Sequence, residues 1–545
     1  MPEEQIKQTN NKCAILSVGA VLFAPLLFGL MVGSTGPTID TMKNEVLDYQ
    51  GNVQRLPSDS SYVVFTADQA SWYSAIVTIG CMVGALGGGP VTELLGLKKT
   101  IIATIPLYAI SWVMIGLMSQ VWGLILARVL VGLAVGVNSF VAPTYIGEAS
   151  PTHLRGLLGA SNQLSITIGI LFVYLLGLVC TVSGGTVYQG DSTIPIGPAP
   201  NGTFCNWRML AYINLAPTVL LGVFTFMIPE SPRWLAKKGR IEEAKSALKK
   251  LRGGCETSEE VDALEQQANV SAATEYAANR ESMRTTAFKD LWAAKYQLSI
   301  GIALQFFQQF SGINAIMFFC TTIMRNAKMS NADIVSMTVM LEQVVVTALA
   351  CYLMDKAGRR VLLLTGSSVL TVACLLFGVF FVLQASGYEG INWMVFLSVY
   401  TYMAAFSIGV GAIPWLIMAE IFPNNIRSLG ASIATTCNWI FAFIVTMTLE
   451  KMTASIQYYG VMWLFGGCCL LLTIFAFFFI PETKGKSFEE IQAWFASSNR
   501  ERTARSSKTK KSATSDLSSY VAPIDIGAET APATPVASAT PVIIP

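Results

Sequence analysis

Charge is what this chain lacks. Asp, Glu, Lys and Arg make up only 13% of its 545 residues, 53% are hydrophobic, and the mean hydropathy is +0.52. Water-soluble domains carry about 25% charged residues, so this composition excludes an ordinary soluble globule and points to lipid as the solvent. The charge that is present nearly cancels, at +2, and leaves no basic excess with which to bind nucleic acid. Histidine occurs once, at His153, and the eleven Cys show no metal-ligand spacing. Most of those Cys lie inside apolar runs, Cys255 excepted, and read as small packing residues. No nucleophile–base pair emerges, so the chain does not read as an enzyme, and no cofactor is implied. The polar stretch Met1–Asn11 has no cleavable leader pattern, so the first apolar run is expected to remain as a helix.

A hydrocarbon core about 30 Å thick needs roughly 20 apolar residues per helix. Six such runs come first: Ala14–Ile39, Ser71–Thr92, Thr100–Ser119, Val121–Tyr145, Leu157–Val182 and Met209–Ile228. Six more follow: Gln297–Met324, Ile334–Met354, Val361–Leu383, Trp393–Ala419, Leu429–Leu449 and Gly460–Ile480. The expected fold is an all-α polytopic membrane protein of twelve transmembrane helices in two six-helix bundles. Residues 1–13 form an N-terminal segment, 14–228 the first bundle, 229–296 a linker with short amphipathic helices such as Ile241–Leu251, and 297–480 the second bundle. The tail, 481–545, is rich in Ser, Thr, Ala and Pro and is expected to be disordered after about residue 498. Lys and Arg concentrate in the linker, at Lys98–Lys99, at Arg359–Arg360 and in Arg500–Lys511, which puts both termini and the linker in the cytoplasm. The loop Thr181–Asn206 then faces outward. It holds an acceptor sequon at Asn201 and is bracketed by Cys180 and Cys205, a candidate disulfide.

The chain also repeats itself. Glu148-Ala-Ser-Pro-Thr-His-Leu-Arg155 matches Glu420-Ile-Phe-Pro-Asn-Asn-Ile-Arg427. Glu93-Leu-Leu-Gly-Leu-Lys98 matches Asp355-Lys-Ala-Gly-Arg-Arg360, and Pro229-Glu230 matches Pro481-Glu482. The offsets are 272, 262 and 252, a spread of about twenty that the long loop Thr181–Asn206 absorbs. Two related halves follow. Each cluster falls at a predicted cytoplasmic helix end, where acids and bases can pair and face helix dipoles. Glu93, Arg128, Glu148, Arg155, Asp355, Arg359, Arg360, Glu420 and Arg427 are therefore the expected cytoplasmic gate, joining the halves when that side is closed.

These residues resemble the sugar porter family of the major facilitator superfamily, over roughly Ala14 to Ile491. The resemblance rests on Arg128-Val-Leu-Val-Gly132, Tyr145-Ile-Gly-Glu148 with Arg155-Gly156, Pro229-Glu-Ser-Pro-Arg-Trp234, Gln308-Gln-Phe-Ser-Gly-Ile-Asn314, Asp355-Lys-Ala-Gly-Arg-Arg360, Pro414-Trp415, Asn438-Trp439 and Pro481-Glu-Thr-Lys-Gly485. It implies a sugar bound near the bilayer midplane between the bundles and exposed to each side in turn. Gln163, Gln308, Gln309, Asn314 and Asn438 suit that role by chemistry, because an intramembrane amide is costly without a partner and donates and accepts without charge. Trp415 would offer a flat face to the sugar ring and Trp439 would flank it, with Gly411 and Pro414 marking a break in the tenth helix.

The departures from the family pattern matter as much. Its eighth-helix binding position falls on Gln343, the tenth-helix acid on Ser407, the Asn often following Asn-Trp on Ala442, and a Tyr pair on Phe318-Phe319. The symporters of the family carry an Asp in the first helix; here Met31 stands in its place while Arg128 remains, so uncoupled transport is expected. Glu342, an acid inside the eighth helix, keeps a proton-coupled alternative open. A transporter-like nutrient receptor signalling through the tail is the alternative of another class. The partners expected are a small sugar and the bilayer, most naturally the plasma membrane; other polyols also suit the site, and no oligomeric state follows from the sequence.

Overall fold

In a computed structural model of the chain, the described residues are 11–42, 65–151, 154–182, 207–254, 291–329, 331–423, 427–486 and 490–495, with short stretches at 45–47, 53–55, 186–189, 192–195, 260–262, 264–266 and 268–269. Residues 1–491 form one compact unit and 492–545 a second. Asn201, Cys205, His153 and the tail after 495 lie outside the described residues, as do the side chains of Cys180, Arg155, Asp355 and Arg427.

The first span is a rod in three pieces, α1 (Lys12–Val21), α2 (Phe23–Gly33) and α3 (Thr35–Met42). Next come α4 (Ala67–Leu95), α5 (Leu97–Leu117), α6 (Val121–Ala149) and α7 (Arg155–Val182); α8 (Trp207–Ile213) and α9 (Leu215–Met227) together form the sixth span. The linker carries α10 (Pro232–Lys237) and α11 (Ile241–Leu251). In the second half α12 (Lys295–Phe310) and α13 (Ile313–Asn326) make the seventh span, α14 (Ala332–Ala357) the eighth and α15 (Arg359–Ala385) the ninth. The tenth is α16 (Trp393–Ala405), a π-helical turn Phe406–Val410 and α17 (Ile413–Ile421). Among the described residues, eleven helical stretches are long and apolar enough to cross a membrane, and the last of them, Leu429–Phe479, is 51 residues long. It belongs to α18 (Arg427–Phe479), which breaks at Gln457 (φ 59°, ψ 171°) and so supplies the eleventh and twelfth spans. Helices dominate because lipid offers no partner to an unpaired backbone amide. The sequence pattern did not anticipate two small antiparallel hairpins, β1 (Glu45–Leu47) with β2 (Val53–Arg55) and β3 (Thr186–Gln189) with β4 (Ser192–Pro195); both sit in loops between spans.

The repeat appears in the structure as a duplicated clasp. Glu230 accepts a hydrogen bond from the Lys98 amide at 2.9 Å, and Glu482 accepts from the Arg359 and Arg360 amides at 3.0 and 3.1 Å. Each carboxylate thereby satisfies orphan donors at the start of a helix, α5 or α15, and faces the positive end of its dipole. Gly96 (φ 93°) and Gly358 (φ 97°) turn the chain into these helices, and a Cβ on either would lie 2.5 or 2.7 Å from the clasping carboxylate. The basic residue beside each clasp reaches back to the preceding partner helix: Lys98 Nζ donates to the Phe226 and Ile228 carbonyls, and Arg360 to that of Phe477. The linker is pinned to the same end of the first half, where Tyr145 Oη donates to the Pro229 carbonyl at 2.9 Å and Arg252 to that of Ala149 at 2.9 Å. This end is the linker side.

Candidate functional site

The seventh span cannot be one straight helix. Gly312 sits in the left-handed region (φ 92°) between α12 and α13, and Phe319 (φ −119°, ψ 18°) bends it again. The first break lets three amides converge. Asn314 Nδ2 donates to Gln309 Oε1 at 2.6 Å, and Gln309 Nε2 donates to Asn438 Oδ1 of the eleventh span at 2.7 Å. Gln308 turns the other way. Its Nε2 donates to the carbonyls of Val410 and Gly411, at 2.8 and 2.7 Å, where the π-helical turn of the tenth span gives way to α17. A helix break inside a membrane exposes carbonyls that must find donors, and Gln308 supplies them. Trp415 lies half-buried just beyond this break, and Pro414 is buried in the first turn of α17.

At 1.5 Å per residue, Gln309, Asn438 and Gln343 lie about 17–21 Å from the linker-side ends of their helices, near the middle of a 30 Å core. Gln308, Gln309 and Asn438 are each at most 4% exposed. Their mutual bonds leave Gln308 Oε1, Asn314 Oδ1 and Asn438 Nδ2 without a described partner, so the relay offers both acceptors and a donor to a neutral hydroxylated ligand. Gln343 Oε1, Ser407 Oγ and Trp439 Nε1 are buried with no hydrogen-bond partner. Gln163 is half-buried on α7, which packs against the α14 helix that carries Gln343, but no described bond ties either residue to the relay. Phe318 and Phe319 are buried. Gln305, one turn before Gln308, escaped the sequence reading. It is fully buried, its Nε2 lies 3.8 Å from Met418 Sδ, and its Oε1 is unpaired. Its signal was the same as the others': an amide in an apolar helix, three and four residues from two counted ones.

The expected gate needs one correction. Arg128 is not on the linker side. About 20 residues of α6, or roughly 30 Å, separate it from Glu148. It is fully buried, donating to Ser34 Oγ (3.2 Å), Thr35 Oγ1 and the carbonyls of Met31 (3.4 Å) and Tyr73 (3.3 Å), with its guanidinium 4.5 Å from the Tyr73 ring centroid. The other described gate charges pair here within their own halves or with the linker: Glu148 accepts from Ser231, Glu93 pairs with Lys237 at 2.9 Å, and Arg359 lies 3.5 Å from Glu420. The repeated acids serve first to hold each half together at its linker-side end. Direct polar bonds between the halves come from other residues: Ser432 Oγ donates to the Ala85 carbonyl at 3.2 Å and Cys351 Sγ to the Ala160 carbonyl at 3.6 Å. On the far side Ser71 Oγ donates to Glu450 at 2.6 Å and Tyr174 Oη to the Met317 carbonyl at 2.9 Å, and α3 packs on α13. Near the middle of the core Trp439 stacks obliquely on Phe28 at 5.5 Å.

Residues 17–495 match the family described as "Sugar (and other) transporter". The chain belongs to the sugar transporter family of the major facilitator superfamily. The transporter is 34% identical over 504 residues to "Sugar transporter ERD6-like 6" of Arabidopsis thaliana, covering 91% of this chain and 93% of that one. It is 33% identical to "Facilitated trehalose transporter Tret1" of Polypedilum vanderplanki, over 88% and 87% of the two chains. Among solved structures it resembles the proton:xylose symporter XylE bound to 6-bromo-6-deoxy-D-glucose, with a TM-score of 0.70, 25% identity and coverage of 89% and 99%. The transporter is therefore a multi-pass membrane protein that moves a sugar and is not an enzyme. Its amide relay spans the broken seventh and tenth helices and the eleventh, so a ligand on those amides would touch the segments most able to bend.

Proposed function

We propose that the transporter carries a hexose-like sugar down its gradient by alternating access, without coupling to protons. The surroundings of Arg128 carry this reading. A proton-coupled carrier needs a titratable acid whose protonation changes with conformation, and a carboxylate beside this guanidinium would serve. The described partners of Arg128 are hydroxyls, carbonyls and an aromatic face, and Met31 contributes only its carbonyl. The neutral relay fits a polyol rather than an ion. The "facilitated" relatives fit uniport, and the molecule bound in the XylE structure is a hexose derivative. Lys and Arg placement supports a cytoplasmic linker and termini, with the plasma membrane as the working location.

The test is uptake of labelled glucose into proteoliposomes, with and without an inward proton gradient, alongside Gln308→Ala. Uniport predicts uptake that stops at equal concentrations, ignores the gradient and falls in the variant. Gradient-driven accumulation abolished by Glu342→Gln would instead establish symport. That second reading has one observation in its favour: Glu342 Oε2 is buried without a partner, next to Gln343.

A further inference from the structure

Outside the transport site the structure has a cavity of about 640 Å³ on the linker side, between the start of α5, the end of α9 and the linker helices α10 and α11. None of the site amides lines it. Four cations do, Lys98, Lys99, Arg240 and Lys250, against two acids, Glu230 and Glu243. The acids are already engaged: Glu230 accepts the Lys98 and Ser231 amides, and Glu243 accepts two bonds from Arg240 at 2.8 and 2.5 Å. Lys98 Nζ is also committed, to two carbonyls. Lys99 and Lys250 are exposed and have no described partner, and Lys250 stands near enough to Lys98 for their charges to repel. Apart from Ser246 the other walls are apolar, Ile102, Phe226 and Trp234 among them. They run out onto the membrane-facing flank of the sixth span, where Phe226 is 65% and Met227 77% exposed.

Two unneutralised ammonium groups at the rim, beside an apolar wall that opens toward acyl chains, match one kind of ligand. We propose that this cavity binds the headgroup of an anionic phospholipid, with Lys99 and Lys250 on its phosphate-bearing face and Phe226 against its first acyl carbons. The lipid would neutralise the charge excess where the linker meets the first bundle, tying linker helices α10 and α11 to the membrane surface. A water-soluble phosphate would satisfy the lysines but leave the apolar wall unused, which favours the lipid.

The full-length protein, purified in detergent, is titrated with phosphatidylserine or phosphatidylcholine and bound lipid is counted by native mass spectrometry at 0.15 M salt. Phosphatidylserine is expected to bind in preference, and Lys99→Gln/Lys250→Gln to weaken it about 30-fold, five- to sixfold for each cation at a bilayer surface. Lys249→Gln, on the same helix but off the cavity wall, is expected to change binding less than twofold. The single variants are read in the same way and keep the test valid if the double variant is poorly expressed. Equal binding of both lipids overturns the proposal, as does undiminished phosphatidylserine binding by the double variant or an equal loss in Lys249→Gln. Displacement of the lipid by an equimolar amount of inorganic phosphate also overturns it, by showing an anion site with no need of a bilayer.

Discussion

Replacing Gly312 by Ala tests whether the break in the seventh span is what holds the amide relay together. Two costs follow from the structure. A side chain at φ 92° pays roughly 1–2 kcal/mol for the left-handed region. The added Cβ would also lie 2.3 Å from Phe465 Cδ2 and 2.6 Å from its Cε2. Carbon atoms in contact settle at about 3.5–4.0 Å, so ring or backbone must yield by more than about 1 Å. Overpacking of that kind costs roughly 1–3 kcal/mol, giving about 2–5 kcal/mol in all. If the backbone yields, Asn314 moves off Gln309 and its 2.6 Å bond is lost, which at roughly 1.4 kcal/mol corresponds to about tenfold weaker sugar binding. The assay is thermal unfolding of the purified protein paired with zero-trans uptake in proteoliposomes. Phe465→Leu should relieve the clash but not the backbone strain, so Gly312→Ala/Phe465→Leu should be more stable than the two single losses summed by about 1–3 kcal/mol. A Gly312→Ala protein that melts within a degree of the parent and transports normally would refute the reasoning. Strict additivity in the double variant would refute the clash alone.

Arg128→Lys cannot reproduce the forked donation to Ser34, Thr35 and the Met31 and Tyr73 carbonyls, and leaves a buried charge with fewer partners; it should lower the melting temperature more than Arg128→Met, which removes that charge, while both cut uptake about tenfold or more. Ser71→Ala deletes a bond to a carboxylate that joins the halves on the far side, worth about 1.5–3 kcal/mol, and should raise labelling of a cysteine probe placed in the cavity from that side about tenfold. For Glu482, burial alone would raise the carboxyl's pKa, but donors from the Lys484, Arg359, Arg360 and Thr483 amides outweigh it and hold the value below the usual range. Its stabilising effect is therefore complete above the unfolded-state value, about 4.3, and is lost as pH falls through the lower folded value. Glu482→Gln should melt lower than the parent at neutral pH by at most about 1 kcal/mol, with the difference closing as the solution is acidified below pH 4. A gap that persists or widens in acid would contradict the assigned clasp.

The twelve spans could be read from the chain alone because lipid imposes one requirement on every residue inside it: an apolar side chain and a backbone bonded within its own segment. The break in the tenth span was legible for a related reason. Gly411 and Pro414 cannot continue an unbroken hydrogen-bond ladder, and the π-helical turn Phe406–Val410 lies just before them. The repeated Glu93, Glu148 and Glu230 signatures revealed a duplication but not its mechanical role, because sequence spacing does not say which of several nearby donors a carboxylate meets. Tertiary packing gave Glu230 and Glu482 to helix starts and Glu148 to Ser231, and it set Arg128 far from the linker-side charges. The amides show the same division. Their cost in lipid marked them in the sequence, yet only the three-dimensional fold determined that Gln309 bridges two spans while Gln308 supports the broken backbone of a third, because that depends on the angles at which helices distant in sequence cross.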